Sequence, residues 1–508
     1  MVSELTGSPQ AIELGEGYKI RAAGVHGMAE LRRPRSAADR GRARVAEDGT
    51  SALDAALANA NVIEVRQIDL SLKPPPAAGA TRALRSVDGQ EMLELQVPDL
   101  GPDNGQIVLA CDETGVLTWH LPVDEQQRIQ TPATRGAGNV KRFLIPATRP
   151  RPAATEATAK RSLIGVVGKK LLKVLIYPVL DPVLGKISEV FAEHWEEKNR
   201  PYGLRDFSPG NFRDPVGPAI ASDDWARLAG GPALLFIHGT FSTAHSAFSQ
   251  ITDAAFAELH RRYGGRVFAF NHFSLSHDPR RNIEWLLAQV PAGQSLEVDI
   301  VCHSRGGLVA RTLAQSPSAF GLDTSPLKVR RVVFVGVPNN GTPLTNPDRM
   351  VQMLDRYSTA LNLFPTGAVT ETLEAILTVV KVVGHGALKG LGGIAAMRPD
   401  GSFLNTLNAG QEAGAGYYTI AADFEPVDEG LKALLTGTVA DAVMDRVFEQ
   451  VPNDLVVPEP GVYGGNGNAA FPIAETRRLL VPVDAGIIHT TLFSYPPAMD
   501  RLQDWLPG

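Results

Sequence analysis

Cysteine is almost absent from this chain of 508 residues, which contains only Cys111 and Cys302. Two cysteines so far apart do not form the disulfide framework that is typical of small secreted domains, and this favours a reducing, cytoplasmic compartment. The opening residues MVSELTGSPQ lack both a basic and an apolar region, so no Sec-type signal peptide is predicted. The histidines are scattered and neither cysteine has a partner at ligand spacing, so no metal site is predicted.

An excess of positive charge is also absent. The 49 lysines and arginines are outnumbered by 55 aspartates and glutamates, which gives a net charge of −6 at pH 7. A chain of this charge has no electrostatic reason to bind nucleic acid, and a nucleic-acid partner is not expected. No cofactor is expected either, because the glycine-rich run from Gly390 to Met397 lacks the strand and the acidic residue of a dinucleotide-binding site.

No apolar run is long enough to cross a membrane without interruption. The longest, from Leu163 to Leu184, is interrupted by three lysines and two prolines, namely Lys169, Lys170, Lys173, Pro178 and Pro182. Such interruptions make a transmembrane helix unfavourable. The segment is instead predicted to form an amphipathic helix, which either packs on the C-terminal domain or makes a peripheral contact with an anionic membrane surface.

The N-terminal part of the chain divides into three regions. Residues 1–60 show little periodicity, which predicts a mobile arm with a short helix at Ser51 to Ala60. Residues 61–147 contain alternating apolar residues separated by turn signals, which predicts a small antiparallel sandwich that binds a protein partner or acts in assembly or regulation. Residues 148–230 begin with a run rich in Pro, Arg, Ala and Thr, and predict a linker followed by bridging helices, one of them at Ile187 to Asn199.

Between residues 231 and 508 predicted strands and helices alternate, which is typical of a parallel α/β sheet. Ala233 to Ile237 and Arg331 to Val337, for example, are nearly continuous apolar runs. An insertion at residues 345–416 interrupts the alternation with apolar, glycine-containing helical sequence. We expect the insertion to form a cap, either buried or acting as a mobile lid.

The stretch around Ser304 combines a buried strand with a helix. Residues 296–302 show the pattern of a strand that enters a buried sheet, and residues 306–314 place apolar side chains on one helical face. Ser304 is therefore held on a sharp strand-to-helix turn, where the amides of the first helical turn can stabilise an oxyanion. Gly306 and Gly307 fit this turn because side chains there would crowd the neighbouring strand or helix. A serine held in this way suits nucleophilic catalysis.

The pentapeptide CHSRG around Ser304 departs from the pattern G-x-S-x-G only at Cys302, a small residue that the turn can accommodate. The run HSRGGLVAR resembles the elbow of the α/β-hydrolase superfamily, and within it that of the bacterial lipase-like branch. The resemblance covers residues 231–508. It implies an α/β fold with a mostly parallel sheet and a helical cap insertion, a serine nucleophile, and ester, thioester or amide substrates.

The resemblance also implies the remaining catalytic residues. His489, the only histidine after the last predicted strand, is the expected base. Asp454, in the loop PNDLVVP, is the expected acid, and Asp423, directly after the strand YYTIAA, is the alternative. The amides of Thr240 and Arg305 are expected to form the oxyanion hole, since acyl transfer requires convergent donors.

Other histidines near these positions are predicted to have structural roles. His238 and His303 are predicted to be hydrogen-bonding residues of the scaffold and not additional bases. The run Ser276-His277-Asp278 contains all three residue types of a triad, but adjacent residues cannot form the relay geometry. We therefore expect this run to be a loop.

The predicted function is that of a serine carboxylesterase or lipase, which cleaves carboxylic esters, in particular lipid-like acyl esters, through a Ser-His-Asp triad and an acyl-enzyme. Two alternatives remain open: a catalytically idle hydrolase fold that serves as a binding or assembly module, and a peptidase or thioesterase. An apolar stripe in the insertion predicts that an acyl chain binds there and that medium or long chains are preferred. The stripe consists of Leu373, Ile376, Leu377 and Val380.

Overall fold

The chain folds into two units, and each combines residues from distant parts of the sequence. The β unit comprises Met1–Gly185, Val351–Ala387 and Glu429–Ala442, and the α/β unit comprises Lys186–Met350, Leu388–Asp428 and Val443–Gly508. The computed structural model describes residues 2–34, 48–73, 91–112, 115–123, 140–147, 170–179, 187–346, 349–365, 368–384, 391–410, 414–424, 451–464 and 471–508. Among the helices in these ranges, none combines the length and the apolar character needed to cross a membrane.

The strands and helices are numbered in chain order. The strands are β1 (Val2–Thr6), β2 (Ala11–Gly15), β3 (Tyr18–Arg21), β4 (His26–Arg32), β5 (Ile63–Lys73), β6 (Met92–Pro98), β7 (Asn104–Cys111), β8 (Leu117–His120), β9 (Val140–Pro146), β10 (Lys170–Pro178), β11 (Gly203–Asp206), β12 (Ala233–Ile237), β13 (Val267–Asn271), β14 (Leu296–His303), β15 (Leu327–Val335), β16 (Gly416–Ala422) and β17 (Arg478–Val481). The α-helices are α1 (Asp48–Asn59), α2 (Ile187–Asn199), α3 (Ser222–Leu228), α4 (Ala244–Ala247), α5 (Asp253–Arg262), α6 (Pro279–Gln289), α7 (Gly306–Ala314), α8 (Met350–Leu363), α9 (Val369–Gly384), α10 (Gly392–Ala395), α11 (Ser402–Ala409), α12 (Pro460–Tyr463) and α13 (Pro496–Trp505). Short 3₁₀ helices lie at Ser318–Phe320, Pro343–Thr345, Glu475–Arg477, Val483–Ala485 and His489–Ser494.

Two antiparallel sheets make up most of the β unit. The strand order is β1-β4-β5-β10-β7-β8 in one sheet and β2-β3-β6-β9 in the other. Alternate side chains of both sheets, such as Ile68 and Leu70 on β5 and Leu93 and Leu95 on β6, are buried in one shared hydrophobic core. Because side chains of a strand alternate between its two faces, this packing follows from the period of two in the sequence. The arrangement is the sandwich that residues 61–147 predict, with additional strands.

Four of the additional strands, β1 to β4, lie where the sequence predicts a mobile arm. The first two bury one side chain each and β4 buries only small residues, so little apolar alternation is visible in the sequence. Their buried side chains, among them Leu5, Leu14 and Ile20, complete the core of the sandwich. The prediction of an arm is therefore wrong for residues 2–32, whereas the helix predicted at 51–60 is confirmed as α1.

Strand β10 contradicts the predicted amphipathic helix at Leu163 to Leu184. It pairs antiparallel with both β5 and β7, and so lies inside the sheet. Its lysines have partners there: Lys173 Nζ lies 2.7 Å from Glu64 Oε2, and Lys170 Nζ donates a hydrogen bond to the carbonyl oxygen of Pro146. Because these lysines have partners within the unit, their spacing does not reflect a polar helix face.

The insertion contributes α8 and α9 to the β unit. On α8, Asp355 Oδ1 accepts a hydrogen bond from the amide of Trp119 at 2.6 Å, and Thr359 Oγ1 accepts one from the amide of Leu117 at 2.9 Å. Both amides belong to β8, which is the last strand of its sheet. Side chains of α8 therefore satisfy backbone groups for which a further strand would otherwise be needed.

Helix α9 packs against α1 and β7. The side chains of its apolar stripe, including Ile376 and Val380, are 0% exposed. These side chains form part of the interior of the β unit, and the prediction that they bind an acyl chain is wrong for this arrangement. The sequence shows an apolar excess here because α9 is covered by neighbouring elements on more than one side.

The α/β unit contains a seven-stranded sheet with the order β11-β13-β12-β14-β15-β16-β17. Strands β12 to β17 are parallel, and β11 pairs antiparallel with β13. The carboxyl ends of the parallel strands therefore meet at one edge of the sheet. Strand β11 lies in residues 148–230, where a linker and bridging helices are predicted. It was missed because its buried residues, Leu204 and Arg205, do not form an apolar alternation.

Helix α2 has the predicted bounds but not the predicted buried face. The sequence favours a face with Ile187, Val190, Phe191 and His194, of which Val190 and His194 are exposed and Phe191 is half-buried. The buried residues are Ala192, Glu196 and Arg200, which follow one another at intervals of four. This face is largely polar because Glu196 accepts backbone amides of a loop and Arg200 donates to Ser242 O at 3.2 Å.

Candidate active site

Ser304 lies on the turn between β14 and α7, as the elbow sequence predicts. Its φ angle of 52° places this non-glycine residue in the left-handed region. Its amide donates a hydrogen bond to Val335 O at 2.9 Å, and its carbonyl oxygen accepts one from the amide of Gly307, also at 2.9 Å. The strained backbone is thus fixed on both sides of the serine, which is typical of a nucleophile elbow.

The glycines around Ser304 are required by close backbone contacts. A Cβ atom at Gly306 would lie 2.4 Å from Ile237 O, and one at Gly307 would lie 2.2 Å from Val337 Cγ1. A Cβ atom at Gly239 would lie 2.6 Å from Ser304 Cβ. The loop after β12 therefore contacts the serine directly. Each of these contacts is shorter than side chains allow.

His489 and Asp454 are in direct contact. His489 Nδ1 lies 2.7 Å from Asp454 Oδ2, and the His489 amide donates to Asp454 O at 3.0 Å. Both side chains are buried. The carboxylate therefore accepts from one ring nitrogen, which orients the imidazole and leaves Nε2 as the nitrogen that can accept a proton.

Asp454 is itself held by its own loop. Its Oδ1 accepts hydrogen bonds from the amides of Val456 at 3.0 Å and Val457 at 2.7 Å. Asp423, the alternative acid, instead accepts a hydrogen bond from the amide of Asn453 at 3.1 Å, at the start of this loop. The structure thus pairs His489 with Asp454, and Asp423 supports the loop that carries Asp454.

The imidazole of His489 lies at the same sheet edge as Ser304. A Cβ atom at Gly336, the residue after β15, would lie 3.2 Å from His489 Nδ1. The preceding residue, Val335, accepts the amide of Ser304. His303 Nε2 donates to His489 O at 3.0 Å, so the residue before the serine also holds the segment that carries the histidine.

Thr240 and Arg305, the predicted oxyanion donors, are each adjacent in sequence to a residue at the nucleophile turn. Thr240 follows Gly239, which contacts Ser304, and Arg305 follows Ser304 at the start of α7. Within the described part of the chain, no hydrogen bond engages the amide of either residue. Two such amides on either side of a serine can both donate to an oxyanion.

Backbone strain in the α/β unit is concentrated in the loops of this site. Among the described residues of the unit, the non-glycine residues with positive φ are Phe241 at 58°, Ser304 at 52° and Leu455 at 77°. They lie in the donor loop, at the nucleophile and directly after the acid. Strained conformations persist where the surrounding structure fixes them, and they are common at catalytic sites.

The neighbouring histidines have structural contacts, in line with the sequence interpretation. The rings of His238 and His272 stack with centroids 4.2 Å apart, and His238 Nε2 accepts the amide of His272 at 3.2 Å. Burial lowers the pKa of His238 to about 3 and that of His303 to about 3. Both rings are therefore neutral at physiological pH and serve as hydrogen-bonding parts of the scaffold.

Sequence reasoning missed one buried carboxylate. Glu196 on α2 is 0% exposed, and its oxygens accept hydrogen bonds from the amides of Ser274, Leu275 and Ser276 and from Ser276 Oγ, at 2.5 to 3.0 Å. It fixes the loop that contains the run Ser276-His277-Asp278. A glutamate spaced four residues from a buried alanine, in a polar helix, gives no signal of such a role.

The side chain of Arg305 was also not assigned by sequence reasoning. It is 0% exposed and donates hydrogen bonds to Gly393 O, Asn282 Oδ1 and His277 O. Across the described residues, no group of three or more His, Cys, Asp or Glu side chains could hold a metal ion.

Residues 199–507 match the protein family described as a domain of unknown function, DUF7379. The chain belongs to this family. Among curated proteins, none matches this DUF7379 chain. In the α/β unit of the DUF7379 chain, a parallel sheet carries a serine on a strand-to-helix elbow, and an aspartate and a histidine follow in that order, which is the arrangement of the α/β-hydrolase fold.

The DUF7379 chain is similar to several solved structures of bacterial hydrolases. These include the mature form of the Bacillus licheniformis lipase BlEst2, with 15% identity and a TM-score of 0.33 over 60% of this chain and 97% of that chain. EstA from Clostridium botulinum shows 13% identity and a TM-score of 0.37 over 60% of this chain and 98% of that chain. The Staphylococcus hyicus lipase shows 13% identity and a TM-score of 0.31 over 55% of this chain and 92% of that chain.

Proposed function

We propose that this protein is a serine hydrolase that cleaves carboxylic esters, with lipid-like acyl esters as the substrate class. Ser304 is the nucleophile, His489 the general base and acid, and Asp454 the residue that orients the imidazole. The observation that supports this assignment most directly is the 2.7 Å contact between His489 Nδ1 and Asp454 Oδ2, at the sheet edge where Ser304 lies.

The reaction follows from the roles of these side chains. Ser304 Oγ attacks the ester carbonyl carbon while its proton passes to His489 Nε2, and the carbonyl oxygen becomes an oxyanion that accepts hydrogen bonds from the amides of Thr240 and Arg305. The carbon–oxygen bond to the alcohol then breaks, and the leaving oxygen takes the proton from His489. A water molecule attacks the acyl-enzyme by the same route, which releases the carboxylic acid and restores Ser304.

The first prediction concerns the nucleophile. Ser304→Ala should abolish covalent labelling by a fluorophosphonate probe and reduce turnover of p-nitrophenyl esters to background, because the variant lacks the hydroxyl that forms the acyl-enzyme. Circular dichroism and thermal unfolding would show that the variant is folded. Undiminished turnover by the folded variant would contradict the assignment.

A panel of p-nitrophenyl esters from acetate to laurate tests the substrate class. Turnover that rises with chain length would support lipid-like esters, and a strict preference for acetate would contradict that part of the proposal. Failure of the wild-type protein to react with the probe or with any ester would contradict the proposed activity as a whole.

A further inference from the structure

The side chain of Arg305 connects the nucleophile turn to two other segments of the α/β unit. Its Nε donates to Gly393 O at 2.8 Å, and its Nη2 donates to Asn282 Oδ1 at 3.0 Å and to the carbonyl oxygen of His277. A planar guanidinium that donates in several fixed directions holds its own backbone more firmly than a flexible ammonium group does. The amide of Arg305, a proposed oxyanion donor, belongs to this backbone.

Burial of the positively charged Arg305 side chain costs free energy, and a role in positioning would explain why the charge is nevertheless buried. Arg305 is 0% exposed, and burial lowers its pKa to about 10. Within the described residues it forms no ion pair, and its charge is balanced by carbonyl oxygens and by the more distant Glu196. A buried charge without a paired counter-charge does not favour stability. The hydrogen bonds of Arg305 instead fix the relative positions of the segments that they join.

Gly393, a hydrogen-bond partner of Arg305, lies in the segment Leu391–Met397, which is itself bound to a neighbouring loop. The amide of Gly393 donates to Leu275 O at 2.9 Å, and a Cβ atom at Gly393 would lie 2.2 Å from Ser274 O. Ser274 and Leu275 are the residues whose amides bind the buried carboxylate of Glu196. The two backbones are therefore in close contact and cannot slide past each other without displacing this network.

The other end of the same segment contacts the second proposed donor. Thr240 Oγ1 donates to Met397 Sδ at 3.7 Å, and Met397 O accepts the amide of Thr342 at 2.9 Å. The segment Leu391–Met397 thus touches the side chain of Arg305 near one end and the side chain of Thr240 at the other. It is the glycine-rich run that does not qualify as a cofactor site.

We propose that the segment Leu391–Met397 aligns both oxyanion donors, and that Arg305 is a positioning residue which acts through its bond to Gly393. This inference rests on the proposed function. It assigns a task to the segment that follows the insertion, namely to keep the amides of Thr240 and Arg305 convergent on the oxygen of the substrate carbonyl.

The test compares an oxygen ester with its thionoester, in which sulfur replaces the carbonyl oxygen. Sulfur is a weak hydrogen-bond acceptor, so hydrolysis of the thionoester gains little from aligned amides. The ratio of kcat/KM for the oxygen ester to kcat/KM for the thionoester therefore reports on the alignment of the amides. Loss of folded protein lowers both rates equally and leaves the ratio unchanged. Titration with a fluorophosphonate probe gives the concentration of active sites.

In Arg305→Lys, the ratio should fall by about 10- to 100-fold, since a small displacement of a catalytic group costs up to about 100-fold. KM for the oxygen ester should change little, because the donors act on the transition state. Gly393→Ala should lower the same ratio without altering either donor residue, because its methyl group forces the segment away from Ser274. The second variant keeps the test valid if Arg305→Lys does not fold.

The matched control is Arg311→Lys on the same helix. Arg311 is also 0% exposed, and its guanidinium donates to Gln315 Oε1 at 2.7 Å and to Asn408 Oδ1 at 2.7 Å, away from the segment. This variant should lower the melting temperature and leave the ratio unchanged. An unchanged ratio in Gly393→Ala, or an equal fall in Arg311→Lys, would overturn the inference while leaving the proposed function intact. Turnover that survives Ser304→Ala would instead contradict the proposed function.

Discussion

At Asp454, the two carboxylate oxygens have different tasks. One faces His489, while the other accepts two amides of its own loop. The loop therefore sets the direction of the carboxylate independently of the imidazole, in the manner of an Asx turn. Asp423 acts one step further away, on the amide of Asn453. This division explains why two aspartates with similar sequence surroundings have different expected effects on catalysis.

Substitution of the two aspartates tests this division. Asp454→Asn should lower kcat by roughly 10⁴-fold, because the amide no longer selects the required tautomer of His489. Asp423→Asn should have a far smaller effect, since an asparagine oxygen can still accept the amide of Asn453. Steady-state kinetics on a p-nitrophenyl ester, with circular dichroism as the control for folding, distinguishes the two. A larger loss in Asp423→Asn than in Asp454→Asn would reverse the assignment.

At the scale of elements, α9 shows how a lysine can join two helices. Lys381 Nζ donates to the carbonyl oxygen of Ala60, the residue after α1, and lies 5.6 Å from the centre of the Tyr177 ring. The ammonium group thus ties α9 to the end of α1, where helix carbonyls lack partners within the helix. Burial lowers the pKa of Lys381 to about 8.

This shift predicts a pH-dependent stability. Below about pH 8 the lysine is charged in both the folded and the unfolded chain, and the cost of burying the charge is present in full. Between about pH 8 and 10.5 the folded protein loses this proton while the unfolded chain keeps it, so the free energy of unfolding rises with pH. Lys381→Met should therefore raise this free energy more at pH 7 than at pH 10, by roughly 2 to 3 kcal/mol.

Urea denaturation at the two pH values measures the difference. The exposed Lys328 provides the control, because Lys328→Met should have the same small effect at both pH values. An identical effect of Lys381→Met at pH 7 and pH 10 would show that burial of the charge does not limit the stability of the β unit.

At the scale of the whole molecule, the β unit is not an independent N-terminal module. Helices α8 and α9 belong to it although their sequence lies between β15 and β16 of the α/β sheet. Side chains of α8 satisfy the edge strand β8, and α9 buries its apolar face against α1 and β7. The β unit therefore includes the helices α8 and α9 of the insertion, whereas the later part of the insertion belongs to the α/β unit.

Truncation tests this interdependence. A chain that lacks residues 1–185 should aggregate, because the apolar side chains of α9, which are buried in the full protein, would be exposed to water. Additional replacement of residues 351–387 by a Gly/Ser linker should restore solubility by removing that surface. Size-exclusion chromatography compares the two products. A monodisperse, folded chain from the first truncation alone would show that α9 does not need the β unit.

The agreement between sequence and structure varies with how clearly the apolar residues of an element form a local pattern. Strands β12 and β14 and helix α2 lie within one residue of their predicted bounds, because long apolar runs and regular spacing are local properties. Strands β1 to β4 and β11 were missed because they show little apolar alternation: β1 and β2 each bury one side chain, β4 buries small residues, and β11 buries an arginine beside a leucine. Strand β10 was mistaken for a helix because the ion pair of its Lys173 forms with a residue that is distant in sequence, Glu64.

For the candidate site, the sequence by itself determined the elbow at Ser304, since the strand, the serine and the two glycines lie within a few residues of one another and form a recognisable local pattern. It also provided the order in which the serine, the aspartate and the histidine follow one another. Only the tertiary structure decided that His489 contacts Asp454, that Arg305 bonds to Gly393, and that α9 lies within the β unit. These contacts join residues that are tens to hundreds of positions apart, and their geometry depends on how the whole chain packs.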